Sequence, residues 1–288
     1  LIICGTAYPQ EKLEKIWKEV LLYQFHDVLP GTSIKRVYDE SSKRYEEMLM
    51  DLNSIMDLAI QNKGGKSKCV FNSTSFKRDE YIKDGNKWYK AEAEPYAFTE
   101  LEPVLDSDYI GVFSDKTIEN NLLKVKFDLD GSIISFYDKE YGREIFNGKG
   151  NVFNIYNDNG DAWDFYINYG RNSQAIRLKG VKSFIDGPTA GIIQEYAYGK
   201  TVLKQTISIT KNSRLLRFDT VACWQESNKM LRCLFSPDVF TDEVTCDIQF
   251  GSIKRCIDEN NSVNAAQFEI CAHKWIDMSN KNYGLSII

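Results

Sequence analysis

The sequence predicts an α+β, multidomain chain in which a short helical bundle segment is followed by a large antiparallel β-sandwich domain. Three observations carry that expectation. Apolar residues recur at helical spacing from Gln10 to Asn62, a Gly- and Lys-rich break follows, and the pattern then changes to alternation from Cys69 onward. The alternating part shows no repeat of fixed period, which favours a sandwich assembly over a propeller or solenoid. At 288 residues the chain exceeds the usual single-domain size, so two domains are expected, at 1–63 and 64–288, the second truncated at its end.

The elements follow in order. Leu13, Ile16, Trp17, Val20, Leu21 and Gln24 mark one face of a first helix that starts just after Pro9. Pro30-Gly31 disfavours continuation, and Thr32 or Ser33 is placed to cap a second, antiparallel helix. On that helix the face reads Ile34, Val37, Tyr38, Tyr45, Met48, Leu49, Leu52, Ile55, Met56 and Ala59. Two helices cannot bury both faces by themselves, so further partner surface is expected. Residues 62–68 read as a flexible basic linker open to proteolysis. Strands rich in Tyr, Phe, Ile, Val and Thr then run to the end, with turns at Asp130-Gly131, Asn159-Gly160 and Asp186-Gly187-Pro188. The 16 Tyr and 16 Phe are thereby accounted for chiefly as sheet core and cross-strand pairs.

Composition excludes several classes. A net charge of −5, from 36 basic and 41 acidic residues interspersed along the chain, supplies no positive field for nucleic acid. No apolar run approaches the length needed to span a bilayer, and Leu1-Ile2-Ile3-Cys4-Gly5 lacks the basic region of a signal peptide. No membrane partner is expected. The absence of an initiator Met and a terminus within a strand-like run, Tyr283 to Ile288, suggest a piece of a longer polypeptide. Seven cysteines without a Cys-x-x-Cys pair predict reduced, mostly buried thiols and a cytoplasmic location. The sequons at Asn72 and Asn260 are short enough to arise by chance and read as inert.

The most informative stretch is Gln24-Phe25-His26-Asp27-Val28-Leu29-Pro30-Gly31-Thr32-Ser33-Ile34, where one of two histidines sits beside a carboxylate between two helices. A neutral imidazole next to an acid at an interrupted helix end suits a metal or a polar ligand; a capping histidine with a solvated aspartate is the bland alternative. Adjacent helical residues diverge by about 100°, so both side chains converge on one ligand only where the helix is frayed or distorted. A second concentration of polar chemistry is Asp158-Asn159-Gly160-Asp161-Ala162-Trp163-Asp164, a turn-rich loop with an indole that also fits calcium or plain solubility. His273, in Ala272-His273-Lys274-Trp275, reads as a packed strand-end residue.

The run Leu21 to Ile34 resembles the middle-domain signature of glycoside hydrolase family 38, the retaining, zinc-dependent α-mannosidases. Glu119 to Ile133, followed by Tyr137-Asp138-Lys139-Glu140, is similar to the opening of that family's C-terminal β domain. Asp161-Ala162-Trp163-Asp164, Ile248 to Arg255 and His273-Lys274-Trp275 resemble later landmarks in the same order. The resemblance implies that His26 is a Zn²⁺ ligand and Asp27 a substrate-contacting carboxylate. It implies that Asp161 and Trp163 reach the mouth of the site, with Asp164 a weaker candidate. It also implies that the nucleophile, the acid/base and the other zinc ligands belong to an N-terminal catalytic domain outside this chain, so that the fragment holds no catalytic residue, is inactive alone and binds Zn²⁺ weakly. The implied substrate is an α-mannoside. Residues 255–263 depart from the family pattern, lacking the Pro, Thr, His and Trp that many members carry there. A non-catalytic carbohydrate-binding β-sandwich module is the alternative, although such a module has no need of His26-Asp27 or the Pro30-Gly31 turn.

Overall fold

The computed structural model describes residues 1, 4–63, 68–104, 109, 111–161, 163–164 and 166–288. Most of the predicted linker, residues 64–67, lies outside the described residues. Helix α1 spans Gln10–Tyr23 and helix α2 spans Lys35–Lys63. They run antiparallel, since early residues of one meet late residues of the other: Lys12 pairs with Asp51 at 2.8 Å, Arg44 Nε donates to Glu19 at 2.9 Å, and the Tyr23 and Tyr45 rings lie 5.6 Å apart.

Only part of the predicted helical stripe is covered. Ile16, Met48 and Ala59 are buried, while Trp17, Leu21, Leu49 and Met56 on the same stripe stay more than half exposed. The predicted cap of α2 is corrected. Thr32 Oγ1 turns back to Asp27, and Ser33 gives its backbone N–H to Tyr38 Oη at 2.8 Å. The helix instead begins with the Val37 amide bonded to the Ile34 carbonyl at 3.0 Å.

Among the described residues all strand pairings are antiparallel. One sheet is a meander of Val112–Ser114, Thr117–Glu119, Leu123–Phe127, Ile133–Asp138 and Arg143–Glu144. Its inward residues Ile118, Val125, Ile133 and Phe136 pack on Ile192, Ile207 and Ile209 of a second sheet, made of Arg177–Asp186, Thr189–Tyr198, Thr201–Thr210 and Leu216–Cys223. Each such buried aliphatic side chain contributes about 1.5–3 kcal/mol relative to exposure. A third sheet, ordered Ser173–Ala175, Val152–Asn157, Lys229–Leu234, adds Phe153, and Ile176 just past its edge strand joins it, in a second cluster with Tyr196 and Leu203. The predicted sandwich is therefore built on the four-stranded sheet, which packs against both neighbours. Glu243–Ile248, Gly251–Cys256, Ile276–Ser279 and Gly284–Ile287 form a further sheet toward the C-terminus.

The predicted Asp130-Gly131 turn has a steric reason for its glycine. Gly131 sits at φ +87°, and a Cβ there would fall 2.2 Å from Tyr196 Oη. Behind that turn Gln194 Nε2 donates to the Gly131 carbonyl at 3.0 Å and Gln194 Oε1 accepts from Tyr196 Oη at 2.7 Å, so the buried amide is satisfied. Asn72 is likewise committed, donating to the carbonyls of Phe76, Ala93 and Glu94.

Two further expectations need correction. All seven cysteines are free thiols, but only Cys246 is buried, while Cys69, Cys223, Cys233 and Cys271 are exposed. His273 is not packed at a strand end; it is exposed in a bend ahead of Ile276–Ser279, held through its backbone N–H to the Asp247 carbonyl at 3.1 Å. Among the described residues no helix is long and apolar enough to cross a membrane.

Candidate functional site

The segment from Gln24 to Ile34 leaves helical geometry where sequence predicts. Helix α1 ends at Tyr23, the Gln24 and Phe25 amides close on Leu21 and Leu22 at 3.2 Å each, and Val28 and Leu29 both bond back to the Phe25 carbonyl. Gly31 then takes φ +85°, a left-handed conformation that any side chain would strain. His26 and Asp27 therefore sit in a chain of turns between the helices, released from the 100° divergence of a regular helix.

Asp27 is the better anchored of the two. Its backbone carbonyl accepts from Tyr38 Oη at 3.1 Å and from Thr32 Oγ1 at 3.3 Å, and its Oδ1 accepts from the same hydroxyl at 3.2 Å. Tyr38, one turn into α2, thus ties the loop to the second helix, and Thr32 holds one carboxylate oxygen. The sequence reading missed both roles. A threonine five residues past an aspartate across a Pro-Gly turn was the available signal for Thr32; Tyr38 was hidden inside the apolar stripe. His26 stacks on the Phe25 ring with centroids 4.2 Å apart, and its Nε2 lies 3.4 Å from Asp27 Oδ2. Both side chains face solvent, His26 at 68% and Asp27 at 47% exposure, so they are open to a ligand.

A catalytic zinc site normally draws three protein ligands. Among the described residues no group of three or more His, Cys, Asp or Glu side chains is arranged to hold a metal ion. What this chain offers is one accessible imidazole nitrogen with a carboxylate beside it. That donor set fits a contributed ligand, not a complete centre.

Asp161 and Trp163 lie in the loop after the strand Val152–Asn157; Ala162 between them is outside the described residues. Asp158 Oδ1 accepts from the Gly160 amide at 3.1 Å, Asn159 Oδ1 from Asp161 at 3.3 Å, and Asp161 Oδ1 from Trp163 at 2.8 Å. These side chains fold the loop on itself and leave the Trp163 indole 65% exposed. None of the contacts that His26, Asp27, Asp161 or Trp163 make with other described residues joins the helix turn to this loop.

The loop returns through a 3₁₀ turn, Tyr169–Arg171, clamped by groups distant in sequence. Arg232 forms a two-pronged pair with Glu269, at 2.5 Å and 3.0 Å, and both also bond the Tyr169 hydroxyl. Burial pushes the Tyr169 phenol up to about 12, and its hydrogen bond to Glu269 adds to this. Burial alone would raise the Glu269 carboxyl; hydrogen bonds from Arg232 and Tyr169 outweigh it and hold the group below the usual carboxylate range. Nothing in the sequence signals this cluster, because its members are separated by 37 to 100 positions.

Comparisons with known proteins bear on both regions. Residues 118–288 match the glycosyl hydrolases family 38 C-terminal domain, and residues 2–62 match the alpha mannosidase middle domain. The chain is 27% identical to alpha-mannosidase 2C1 of Homo sapiens over 98% of its own length and 30% of that protein's. It is 28% identical to an alpha-mannosidase of Saccharomyces cerevisiae, covering 98% of this chain and 27% of the relative. This chain thus spans about a third or less of these curated relatives. The crystal structure of an alpha-mannosidase from Enterococcus faecalis V583 superposes with a TM-score of 0.76 at 14% identity, over 97% of this chain and 45% of that one, a likeness of fold.

Proposed function

The chain belongs to glycosyl hydrolase family 38, and from that premise we propose that it is the middle and C-terminal part of a retaining, zinc-dependent α-mannosidase that hydrolyses α-mannosides. The single observation that carries the reading is the exposed His26-Asp27 pair on a turn inside the segment matching the alpha mannosidase middle domain. A binding module would have no use for a ligand donor on that turn.

In this reading the domains divide at 1–63 and 64–288, and an N-terminal catalytic domain of the same polypeptide supplies the nucleophile, the acid/base and the remaining metal ligands. A retaining mechanism needs two carboxyl groups about 5 Å apart, and both belong to that domain. His26 contributes one imidazole ligand. Asp27, steadied by Thr32 and Tyr38, accepts hydrogen bonds from sugar hydroxyls. Asp161 and Trp163 offer a carboxylate and an exposed indole to the substrate. Zinc, when bound, supplies Lewis-acid polarisation and positioning of sugar hydroxyls. The fragment alone is inactive, binds Zn²⁺ weakly for want of ligands, and acts in the cytoplasm.

Kinetics with an aryl α-mannoside, measured on the longer protein and on this chain, test the division of labour. Turnover is expected only from the longer protein, and turnover by the 288-residue chain alone would refute it. His26→Ala in the longer protein should lower zinc content and activity together, whereas Asp27→Asn should keep zinc and lose activity. A His26→Ala protein with full zinc and normal turnover would restore the capping-histidine reading.

A further inference from the structure

The register of the third sheet collects hydrogen-bond donors on one of its faces. Residues two apart on a strand share a face with their cross-strand partners, so Ile155 and Asn157 lie beside Gln174 on one neighbour and Lys229 on the other. Arg171, at the end of the 3₁₀ turn, joins Asn172 and Ser173 in completing a recess of about 330 Å³ against the buried Ile155. That volume lies at the lower end of the range of about 300–1,000 Å³ typical of ligand sites. No carboxylate lines it, and Lys229 stands at its margin, behind Asn157.

The carboxamide oxygens at this face are already engaged. Lys229 Nζ donates to Asn157 Oδ1 at 2.5 Å, and because an ammonium has no lone pair, that contact fixes the carboxamide with its NH₂ turned away. Tyr198 Oη donates to Gln174 Oε1 at 2.6 Å and frees the second NH₂ in the same way. Neither NH₂ finds an acceptor among the described residues, and among them neither Arg171 nor Lys229 has a carboxylate partner. Asp158, the acid next along the chain, is turned to the Gly160 amide at 3.1 Å. Donors therefore outnumber acceptors, and a ligand that only accepts satisfies them. A phosphate monoester is such a ligand: its oxygens accept, and the planar guanidinium fork matches two of them at once. Two positive charges without counter-charges favour a dianion over the single charge of a carboxylate. The other recess, about 390 Å³ beside Lys83 and Asp186, lacks this character, because Asp186 already pairs with Lys83 and accepts from Trp88 Nε1 at 2.9 Å.

We propose that this recess binds the phosphate group of a small phosphate monoester, held by the Arg171 guanidinium and the Asn157 and Gln174 carboxamides, with its organic part against Ile155. Lys229 acts from behind, adding charge and orienting Asn157. The site is independent of the hydrolysis proposed above, and its test reads no turnover. The 288-residue chain is titrated calorimetrically with methyl phosphate at about pH 7.5, where a monoester is mostly dianionic, and with acetate as the monoanion for comparison. Saturable binding of methyl phosphate is expected, about tenfold tighter than that of acetate and weakened by added salt. Arg171→Ala should weaken it about tenfold and Lys229→Met about threefold. Lys126→Ala, which removes an exposed cation from the meander sheet, should leave it unchanged. Arg171 is exposed and Lys229 half-buried, and thermal unfolding verifies that the variants stay folded. Absence of saturable binding, acetate bound as tightly as methyl phosphate, or a loss in Lys126→Ala equal to that in Arg171→Ala would overturn the assignment.

Discussion

The helical pair and the sandwich solve the same burial problem with unequal success. In the sandwich Ile118, Val125, Ile133, Ile192, Leu203 and Ile207 are all fully enclosed, because two sheets meet face to face and a third covers the remainder. Along α1 and α2 the predicted stripe buries Ile16, Met48 and Ala59 and leaves Trp17, Leu21, Leu49 and Met56 in solvent. Two helices have only one mutual line of contact, so a stripe wider than that line stays wet. The difference teaches that a regular apolar pattern reports how much surface an element can bury, not how much its neighbours in this chain cover.

Core truncation gives the largest expected contrast. Ile207→Ala should cost about 2–5 kcal/mol in urea unfolding, because the residue is fully enclosed and its cavity cannot collapse onto solvent. Leu49→Ala, at 57% exposure, should stay within about 0.5 kcal/mol. Comparable losses at the two positions would break the comparison.

A smaller effect is expected where polar groups tie the sandwich together. Asn120 is almost fully buried; its Nδ2 donates to the Thr210 and Ser213 carbonyls at 2.7 and 2.8 Å, and its Oδ1 accepts from Leu122 and Leu123. Asn120→Leu should therefore cost about 1–3 kcal/mol through unsatisfied backbone groups. Thr32→Val in the helix turn removes only exposed hydrogen bonds and should cost less than about 1 kcal/mol. A Thr32→Val loss as large as that of Asn120→Leu, read from denaturant midpoints, would mean that the turn is structural.

The smallest expected effect concerns acid. Glu269 is held below the usual carboxylate range in the folded chain, so its pairing with Arg232 and Tyr169 stabilises fully above the unfolded value of about 4.3 and is lost as pH falls through the folded value. Glu269→Gln should lower stability by no more than about 1 kcal/mol near neutrality and flatten the acid limb below about pH 4.3. A variant whose midpoints fall with acid as steeply as the parent's would show that other carboxylates set that limb.

Much of the architecture was legible in order along the chain. Both helices, the break at Pro30-Gly31, the start of strand structure at Cys69 and the turns at Gly131, Gly160 and Gly187 depend on local periodicity and on positive φ, which short windows of sequence record. The expected cap at Thr32 or Ser33 failed because the Asp27 backbone and side chain compete for Thr32, a contact across five residues. The buried-thiol expectation failed because alternation reveals which face a residue occupies but not which face another sheet covers. For the candidate site, His26, Asp27, Asp161 and Trp163 were readable from residue type and motif. Thr32, Tyr38 and the Arg232-Tyr169-Glu269 clamp were not.

The sequence by itself therefore determined the kinds of element, their order, the family and the positions able to offer an imidazole, a carboxylate or an indole. Local sterics and periodicity act over a few residues, and motif residues carry their chemistry wherever they fall. Only the tertiary structure decided that the four-stranded sheet packs against two neighbours, that Glu269 reaches Tyr169 across 100 positions, and that Asn157, Arg171 and Gln174 share one recess. Those outcomes depend on strand register and sheet stacking, which bring distant residues together through many weak contacts that no stretch of sequence encodes alone.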